Sequence, residues 1–202
     1  MALTSSRSQL EGCLRVMHRC RAQASLSAFN TLRCRRHAPS QGRLTCERHI
    51  AKRKLSKMVH TVFVYGTLLS EEIVKILLNR NPESHAATVK GYSRYRIRGR
   101  VYPAILPTTP SDELTGMVLC GLSEREFEIL DEYEDEDYFR TKVTALEQDT
   151  GKEVPADIYV WKDSLRSELY GNWDYDEFRR LHLKEYMVMC EGFEADFTSK
   201  DM

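Results

Sequence analysis

The chain has 202 residues with thirty basic and thirty acidic side chains, so its formal net charge is zero. The charges are unevenly divided, because residues 1–57 hold thirteen basic and two acidic side chains and residues 58–202 hold seventeen and twenty-eight. The acidic body argues against a broad nucleic-acid-binding surface, and the lack of an apolar run of about 20 residues excludes an integral membrane helix.

The basic leader, residues 1–57, is rich in Arg and Ser and contains four of the six cysteines. Three interpretations stay open: an organelle transit peptide, a disordered basic tail with Lys52-Arg53-Lys54 as a nuclear-import or phosphate-binding patch, or an extension upstream of a start at Met58. The cysteines form no CxxC pair, so no zinc site is predicted. Two isolated cysteines in the body favour a reducing compartment. We expect the cytoplasm, or a chloroplast or mitochondrion if the leader is a transit peptide.

Residues 58–195 are expected to form one domain, followed by a tail at 196–202. Strands are predicted at 61–65, 92–97, 114–120, 138–146 and 156–161, the last two forming a hairpin. Helices are predicted from the Ser70 cap to Asn81-Pro82, from the capping box Ser123–Glu126, and from Asp174 to about Cys190 with Gly192 as its cap. This order predicts an α+β domain around a mostly antiparallel sheet or small β-barrel with peripheral helices.

The segment Tyr65-Gly66-Thr67-Leu68 joins the first strand to the first helix. A strand that breaks at a glycine and enters a helix leaves backbone N–H groups unpaired at one point, where an anion or a developing oxyanion can bind. Thr67 and Ser70 add hydroxyl groups. An ordinary strand-to-helix turn has the same pattern, and both interpretations stay open at this point.

An acidic stretch from Asp131 to Asp137 carries six carboxylates in seven positions. It fits a solvated loop, a cation site without the EF-hand spacing, or one inward carboxylate whose pKa is raised by burial and by neighbouring charge. A raised pKa suits a general base near neutral pH. At helical spacing Glu134 shares a face with Phe127 and Leu130, which favours it over Glu132 and Glu136.

Together these two elements resemble the γ-glutamylcyclotransferase-like superfamily, in particular its plant avirulence-induced-gene (AIG2-like) branch. The similar segments are Val62–Leu68, Leu130-Asp131-x-x-Glu134 about sixty residues later, and the tail from Asn172 through Tyr186. The resemblance covers roughly residues 60–195 and none of the leader.

The resemblance implies a small β-barrel with a cavity at one end and an enzyme that cyclises a γ-glutamyl group to 5-oxoproline, releasing the attached amine or amino acid. It implies no metal and no organic cofactor, with Glu134 as the catalytic base. Tyr102 is expected at the cavity wall and Tyr138 near the substrate carboxylate, whereas Pro103 fits an exposed turn and Arg140 a strand ion pair. The implied substrate-binding loop consists of Tyr65, Gly66, Thr67, Leu68, Leu69 and Ser70.

In a second hypothesis the domain has the same fold but catalyses no reaction. In it the domain is a catalytically silent module that binds a small ligand or a peptide in the same cavity, because fold alone does not establish activity. The expected partner in the first hypothesis is a small γ-glutamyl substrate, with no nucleic acid and no membrane. The oligomeric state stays open.

Overall fold

The computed structural model describes residues 59–199, so the three interpretations of the leader fall outside the described residues. Among residues 59–199, no helix has the length and apolar character needed to cross a bilayer. The strands are β1 His60–Val64, β2 Glu83–Lys90, β3 Tyr92–Ile97, β4 Pro103–Pro107, β5 Glu113–Leu122, β6 Tyr138–Glu147, β7 Glu153–Trp161 and β8 Leu169–Tyr170. The helices are α1 Glu71–Leu78, α2 Glu124–Glu134, α3 Tyr175–Leu181 and α4 Leu183–Ser199, with 3-10 turns at Thr67–Leu69 and Asp163–Glu168.

Five strands close into a barrel in the order β1-β5-β2-β6-β7. The neighbouring strands are antiparallel except β1 and β7, which run parallel and close the barrel where Val62 faces Asp157. A second sheet has the order β4-β3-β8. The predicted α+β class and the small, mostly antiparallel barrel are therefore confirmed.

Strand β1 separates two apolar clusters through the alternation of its side chains. Phe63 and Tyr65 join a cluster that draws residues from all five barrel strands. Val62 and Val64 belong to a larger cluster that includes buried residues of the helices. The end of β1 therefore lies between the barrel interior and the helical layer, and the segment after Val64 starts there.

Several predicted boundaries agree with the structure. The Ser70 side chain accepts a hydrogen bond from the Ile73 N–H, and Ser123 and Glu126 form the reciprocal capping box of α2. Strands β6 and β7 pair as the predicted hairpin. These features depend on neighbours in sequence, which explains why the pattern identifies them.

Other predictions were wrong. Helix α1 ends at Leu78, before the predicted end at Asn81-Pro82. The next residue, Asn79, takes a left-handed conformation with φ 56°. The last helical stretch divides at His182, and α4 continues through Gly192 instead of ending there. Strands β2 and β4 were not predicted.

Candidate functional site

The loop between β1 and α1 contains three successive backbone N–H groups, all in buried residues, that have no hydrogen-bond acceptor within residues 59–199. The Leu69 N–H donates to the Gly66 carbonyl and the Ser70 N–H to the Thr67 carbonyl, each at 3.1 Å, and so form a 3-10 turn. No acceptor within residues 59–199 receives the N–H groups of Gly66, Thr67 and Leu68. The side chains of Leu68 and Leu69 pack on the helical cluster, so these two residues contribute through their backbone.

Gly66 lies against Pro103, which is buried at the start of β4. A Cβ atom at Gly66 would come within 2.8 Å of Pro103 Cγ, so the loop passes this ring only because residue 66 has no side chain. Pro103 therefore does not lie in the exposed turn that the sequence suggested. Its carbonyl accepts a hydrogen bond from the Tyr138 hydroxyl at 2.8 Å. That bond, and not solvent, satisfies the Tyr138 phenol.

Glu134 is the last residue of α2, and its carboxylate is one turn beyond the buried Leu130. Burial of the carboxyl group raises its pKa from the ordinary value of 4.5 to about 8, and the charge of Asp131 adds to the shift. The carboxylate receives no hydrogen bond and forms no ion pair with any part of the chain from 59 to 199. Glu134 is thus an unpaired acid whose proton can be exchanged near neutral pH.

Asp131 is held in place one turn before Glu134. Its carboxylate accepts a hydrogen bond from the Tyr159 hydroxyl at 2.7 Å and pairs with the Arg140 guanidinium. Arg140 also lies 4.0 Å from the centre of the Phe127 ring. The ion pair expected for Arg140 is present, and it fixes the charge that faces Glu134.

Hydrogen bonds tie the Glu134 end of α2 to the loop. The Tyr133 hydroxyl lies 2.9 Å from Thr67 Oγ1 and 3.0 Å from the Tyr186 hydroxyl of α4. Tyr65 donates its hydroxyl to the Tyr159 carbonyl at 2.7 Å, and the charge of Glu134 contributes to the raised pKa of Tyr65. These contacts link the Glu134 end of α2 to the loop that carries the three unpaired N–H groups.

Tyr133, Tyr159 and Tyr186 were not predicted as site residues. Tyr133 precedes Glu134 in the acidic stretch, and Tyr186 ends the tail segment on which the resemblance rests, but neither pattern indicates the hydrogen bond between them. Tyr102, which was expected at the cavity wall, is half-buried and accepts a hydrogen bond from Arg100. Its place in a substrate site stays a prediction.

The family model described as "Gamma-glutamyl cyclotransferase, AIG2-like" matches residues 62–175, which contain both the loop and Glu134. The chain belongs to this family. AIG2-like protein D of Arabidopsis thaliana is 41% identical to this AIG2-like chain over 141 residues, 69% of this chain and 92% of the relative. The solution structure of an Arabidopsis thaliana protein matches at TM-score 0.54 and 34% identity, covering 66% of this chain and 89% of that one.

A more distant relative of this AIG2-like chain comes from Methanocaldococcus jannaschii. It is 32% identical over 104 residues, which is 50% of this chain and 45% of the relative, and its name includes γ-glutamylcyclotransferase beside a ribonuclease assignment. Within residues 59–199, no three His, Cys, Asp or Glu side chains are grouped so that they could hold a metal ion. The independence from a cofactor stays a prediction.

Proposed function

We propose that the protein is a γ-glutamylcyclotransferase, which converts the γ-glutamyl group of a small substrate to 5-oxoproline and releases the attached amine or amino acid. One observation supports this proposal: Glu134, a carboxylate without a partner and with a pKa raised to about 8, follows Tyr133, whose hydroxyl bonds to Thr67 in the loop with three unpaired N–H groups. Family membership and the name of the M. jannaschii relative support the same reaction class.

In the proposed reaction the nucleophile is the α-amine of the substrate itself. An ammonium group has no lone pair, so Glu134 first accepts a proton from it. The amine then attacks the γ-carbonyl carbon and closes a five-membered ring. As the tetrahedral intermediate collapses, the bond to the leaving nitrogen breaks and Glu134 returns the proton to that nitrogen. Glu134 then takes the second proton from the positively charged ring nitrogen and passes it to the released amine, which leaves neutral 5-oxoproline. Atoms and charge balance without a cofactor or a second substrate.

Two physical effects lower the barrier in this scheme. An oriented intramolecular attack carries an effective molarity of about 10⁵ M or more, which corresponds to roughly 7 kcal/mol. The N–H groups of Gly66, Thr67 and Leu68 are available to donate to the oxyanion, and each donor of this kind contributes about 3 kcal/mol in comparable sites. Because Pro103 and the Thr67–Tyr133 hydrogen bond hold the loop, these donors are oriented before the substrate binds.

The direct test is release of 5-oxoproline by the purified full-length chain from a panel of γ-glutamyl amines, γ-glutamyl amino acids and γ-glutamyl peptides. We expect release from at least one class, with an equimolar amount of the free amine or amino acid. Thermal stabilisation by panel members without any turnover would contradict the proposal and would favour the silent binding module.

The activity should also depend on pH through Glu134. Because the carboxylate must be ionised to accept a proton, kcat/KM should rise with pH to a plateau above about pH 8. The variant Asp131→Asn removes the charge that adds to the raised pKa of Glu134 and keeps an oxygen for Tyr159. Its pH profile should therefore move to lower pH, by a few tenths of a unit to about one unit.

The measurement is the pH dependence of kcat/KM for the wild type and Asp131→Asn on the same substrate. The substrate ammonium titrates identically in both profiles, so a difference between them reports the enzyme. Glu128→Gln is the matched control, because it removes an exposed carboxylate from the same helix. Superimposable profiles for the wild type and Asp131→Asn would contradict the assignment of the base.

A further inference from the structure

Helix α4 presents one of its faces to Tyr133, the residue before Glu134. Tyr186, Cys190 and Phe193 lie on this face, because spacings of four and three residues bring side chains together on a helix. The Phe193 ring meets the Tyr133 ring edge-on, with 5.9 Å between the ring centres. The buried Cys190 thiol is within hydrogen-bonding reach of the Tyr133 hydroxyl. Tyr133 is therefore held by α4 as well as by its own helix.

Three buried hydroxyl groups form a row from α4 to the loop between β1 and α1. The Tyr186 hydroxyl lies 3.0 Å from the Tyr133 hydroxyl, which in turn lies 2.9 Å from Thr67 Oγ1. A buried hydroxyl without a partner is unfavourable, so each group restricts where its neighbour can lie. The position of the Thr67 side chain therefore depends on α4 through Tyr133.

Neighbouring groups fix the position of Tyr186 in α4. Its ring meets the Phe178 ring of α3 edge-on at 5.4 Å, and its backbone N–H donates to the His182 carbonyl at 2.9 Å. Helix α4 also packs along α1, the helix that follows the loop. The Tyr186 hydroxyl thus has a defined position from which it holds Tyr133.

Thr67 is the middle residue of the three whose N–H groups are unpaired within residues 59–199. Its carbonyl accepts the Ser70 N–H at 3.1 Å, a bond internal to the loop, whereas its hydroxyl bonds to Tyr133 of α2. The hydroxyl therefore links Thr67 to the rest of the domain. An oxyanion donor contributes fully only when its N–H points at the developing charge, so the orientation of Thr67 matters for the proposed reaction.

The row of hydroxyl groups reaches the loop and not the carboxylate of the base. Within residues 59–199 the Glu134 carboxylate receives no hydrogen bond, and its pKa is raised by burial and by the charge of Asp131. Removal of the Tyr186 hydroxyl should therefore disturb the donors of the loop and leave the titration of Glu134 unchanged.

We propose that Tyr186 is a positioning residue, which orients the backbone donors of the loop through Tyr133 and Thr67 and makes helix α4 a functional part of the site. This inference rests on the function proposed above, because it assigns what orients the oxyanion donors. The match to the family model ends at residue 175, before α4 begins at Leu183, so the match by itself gives α4 no role.

Tyr186→Phe keeps the ring and its contact with Phe178 and removes only the hydroxyl. In the full-length chain it should lower kcat for 5-oxoproline release by about 3- to 10-fold, the size of one hydrogen bond between neutral groups. KM should stay within about 2-fold, because the donors act on the transition state and not on the bound substrate. Steady-state release is measured with the best substrate of the panel, below the melting temperature of every variant.

Tyr133→Phe removes the group through which Tyr186 acts. It should lower kcat by about 10- to 100-fold, since the Thr67 hydroxyl then loses its bond to α2. In the double variant Tyr133→Phe/Tyr186→Phe the second change should have no further effect on kcat, because Tyr186 no longer reaches the loop. Losses that multiply in the double variant would overturn the inference, since Tyr186 would then act by another route.

Thr67→Val and Thr67→Ser form a matched pair at the loop end of the row. Valine has nearly the shape of threonine without the hydroxyl, so Thr67→Val should lose about as much kcat as Tyr133→Phe. Serine keeps the hydroxyl, and Thr67→Ser should recover most of that loss. Tyr170→Phe is the control for loss of a phenol, because Tyr170 is exposed, and it should keep the wild-type kcat and KM.

The pH profile of kcat/KM separates an effect on the loop from an effect on the base. In Tyr186→Phe the plateau should fall, while the rise with pH should stay where it is in the wild type. A rise displaced by more than about half a pH unit would mean that the hydroxyl acts on Glu134, and the assignment to the loop would be wrong.

The possible outcomes separate this inference from the proposed function. Wild-type kcat in Tyr186→Phe, or a loss seen only in its melting temperature, would overturn the inference while the wild type still releases 5-oxoproline. If the wild type releases none from any member of the panel, the proposed function fails and the inference fails with it.

Discussion

Glu134→Gln should lower kcat for 5-oxoproline release by about 10³-fold, within the range of 10² to 10⁴ that general acid–base catalysis contributes. Glutamine has nearly the same shape as glutamate but cannot accept a proton from the substrate ammonium. The loop with its unpaired N–H groups is unchanged, so substrate binding should survive and KM should move by less than about 5-fold. The measurement is steady-state release at pH 8 with the best substrate of the panel.

Although Glu134→Gln should lower the activity, it should increase the stability of the fold at high pH. The raised pKa of Glu134 means that the folded state holds a proton that the unfolded state releases at about pH 4.5. The free energy of unfolding therefore falls as the pH rises from about 4.5 to about 8, and the penalty is complete above pH 8. Glutamine never ionises, so Glu134→Gln should be more stable than wild type at pH 8.5, by on the order of 2 kcal/mol, and equally stable near pH 4.

These two readouts distinguish a lost base from a damaged fold. A misfolded variant would lose both activity and stability, whereas the expected variant loses activity and gains stability at high pH. Glu136→Gln is the matched control, because Glu136 is an exposed carboxylate of the same acidic stretch and should keep wild-type values for both quantities. Full activity of Glu134→Gln would end the assignment of Glu134 as the base.

The sequence could predict this acid because its position follows from local geometry. Phe127 and Leu130 are buried, and Glu134 continues their helical face, so the choice of Glu134 over Glu132 and Glu136 is a periodicity argument. The caps at Ser70 and Ser123 were predictable for the same reason. The resemblance to AIG2-like proteins then linked the two elements, which are about sixty residues apart.

What the sequence did not predict depends on contacts between distant segments. Strand β2 is mostly polar, with two alanines and one valine, and pairs along its length with β5, whereas β4 is a short run between two prolines. The hydrogen bond between Thr67 and Tyr133 spans 66 residues and has no sequence pattern. Arg94 is similar to its neighbouring arginines in sequence. Only the structure shows that Arg94 forms no ion pair within residues 59–199, whereas Arg96 pairs with Glu177.

Gly116→Ala should destabilise the domain by about 3 kcal/mol or more, which is at the upper end of the overpacking range. Gly116 lies in β5, directly against the end of β1. An added Cβ atom would lie 2.3 Å from the Val64 carbonyl oxygen and 2.6 Å from Cζ of the fully buried Phe63. The nearest atom belongs to the backbone, so no rotation of a side chain can relieve the contact, and β1 must move away from β5. Thermal melting should show a decrease of about 10 °C.

Gly192→Ala is the control, since an added Cβ there meets nothing within 4 Å and the residue lies inside α4. Alanine is the better helix former, so this variant should be unchanged or more stable by up to about 1 kcal/mol. Wild-type stability of Gly116→Ala would contradict the packing argument.

If Gly116→Ala folds, the displaced end of β1 carries Tyr65 and Gly66 with it, so 5-oxoproline release should fall more steeply than the folded fraction. The close contact at Gly116 thus connects barrel packing to the orientation of the proposed oxyanion donors.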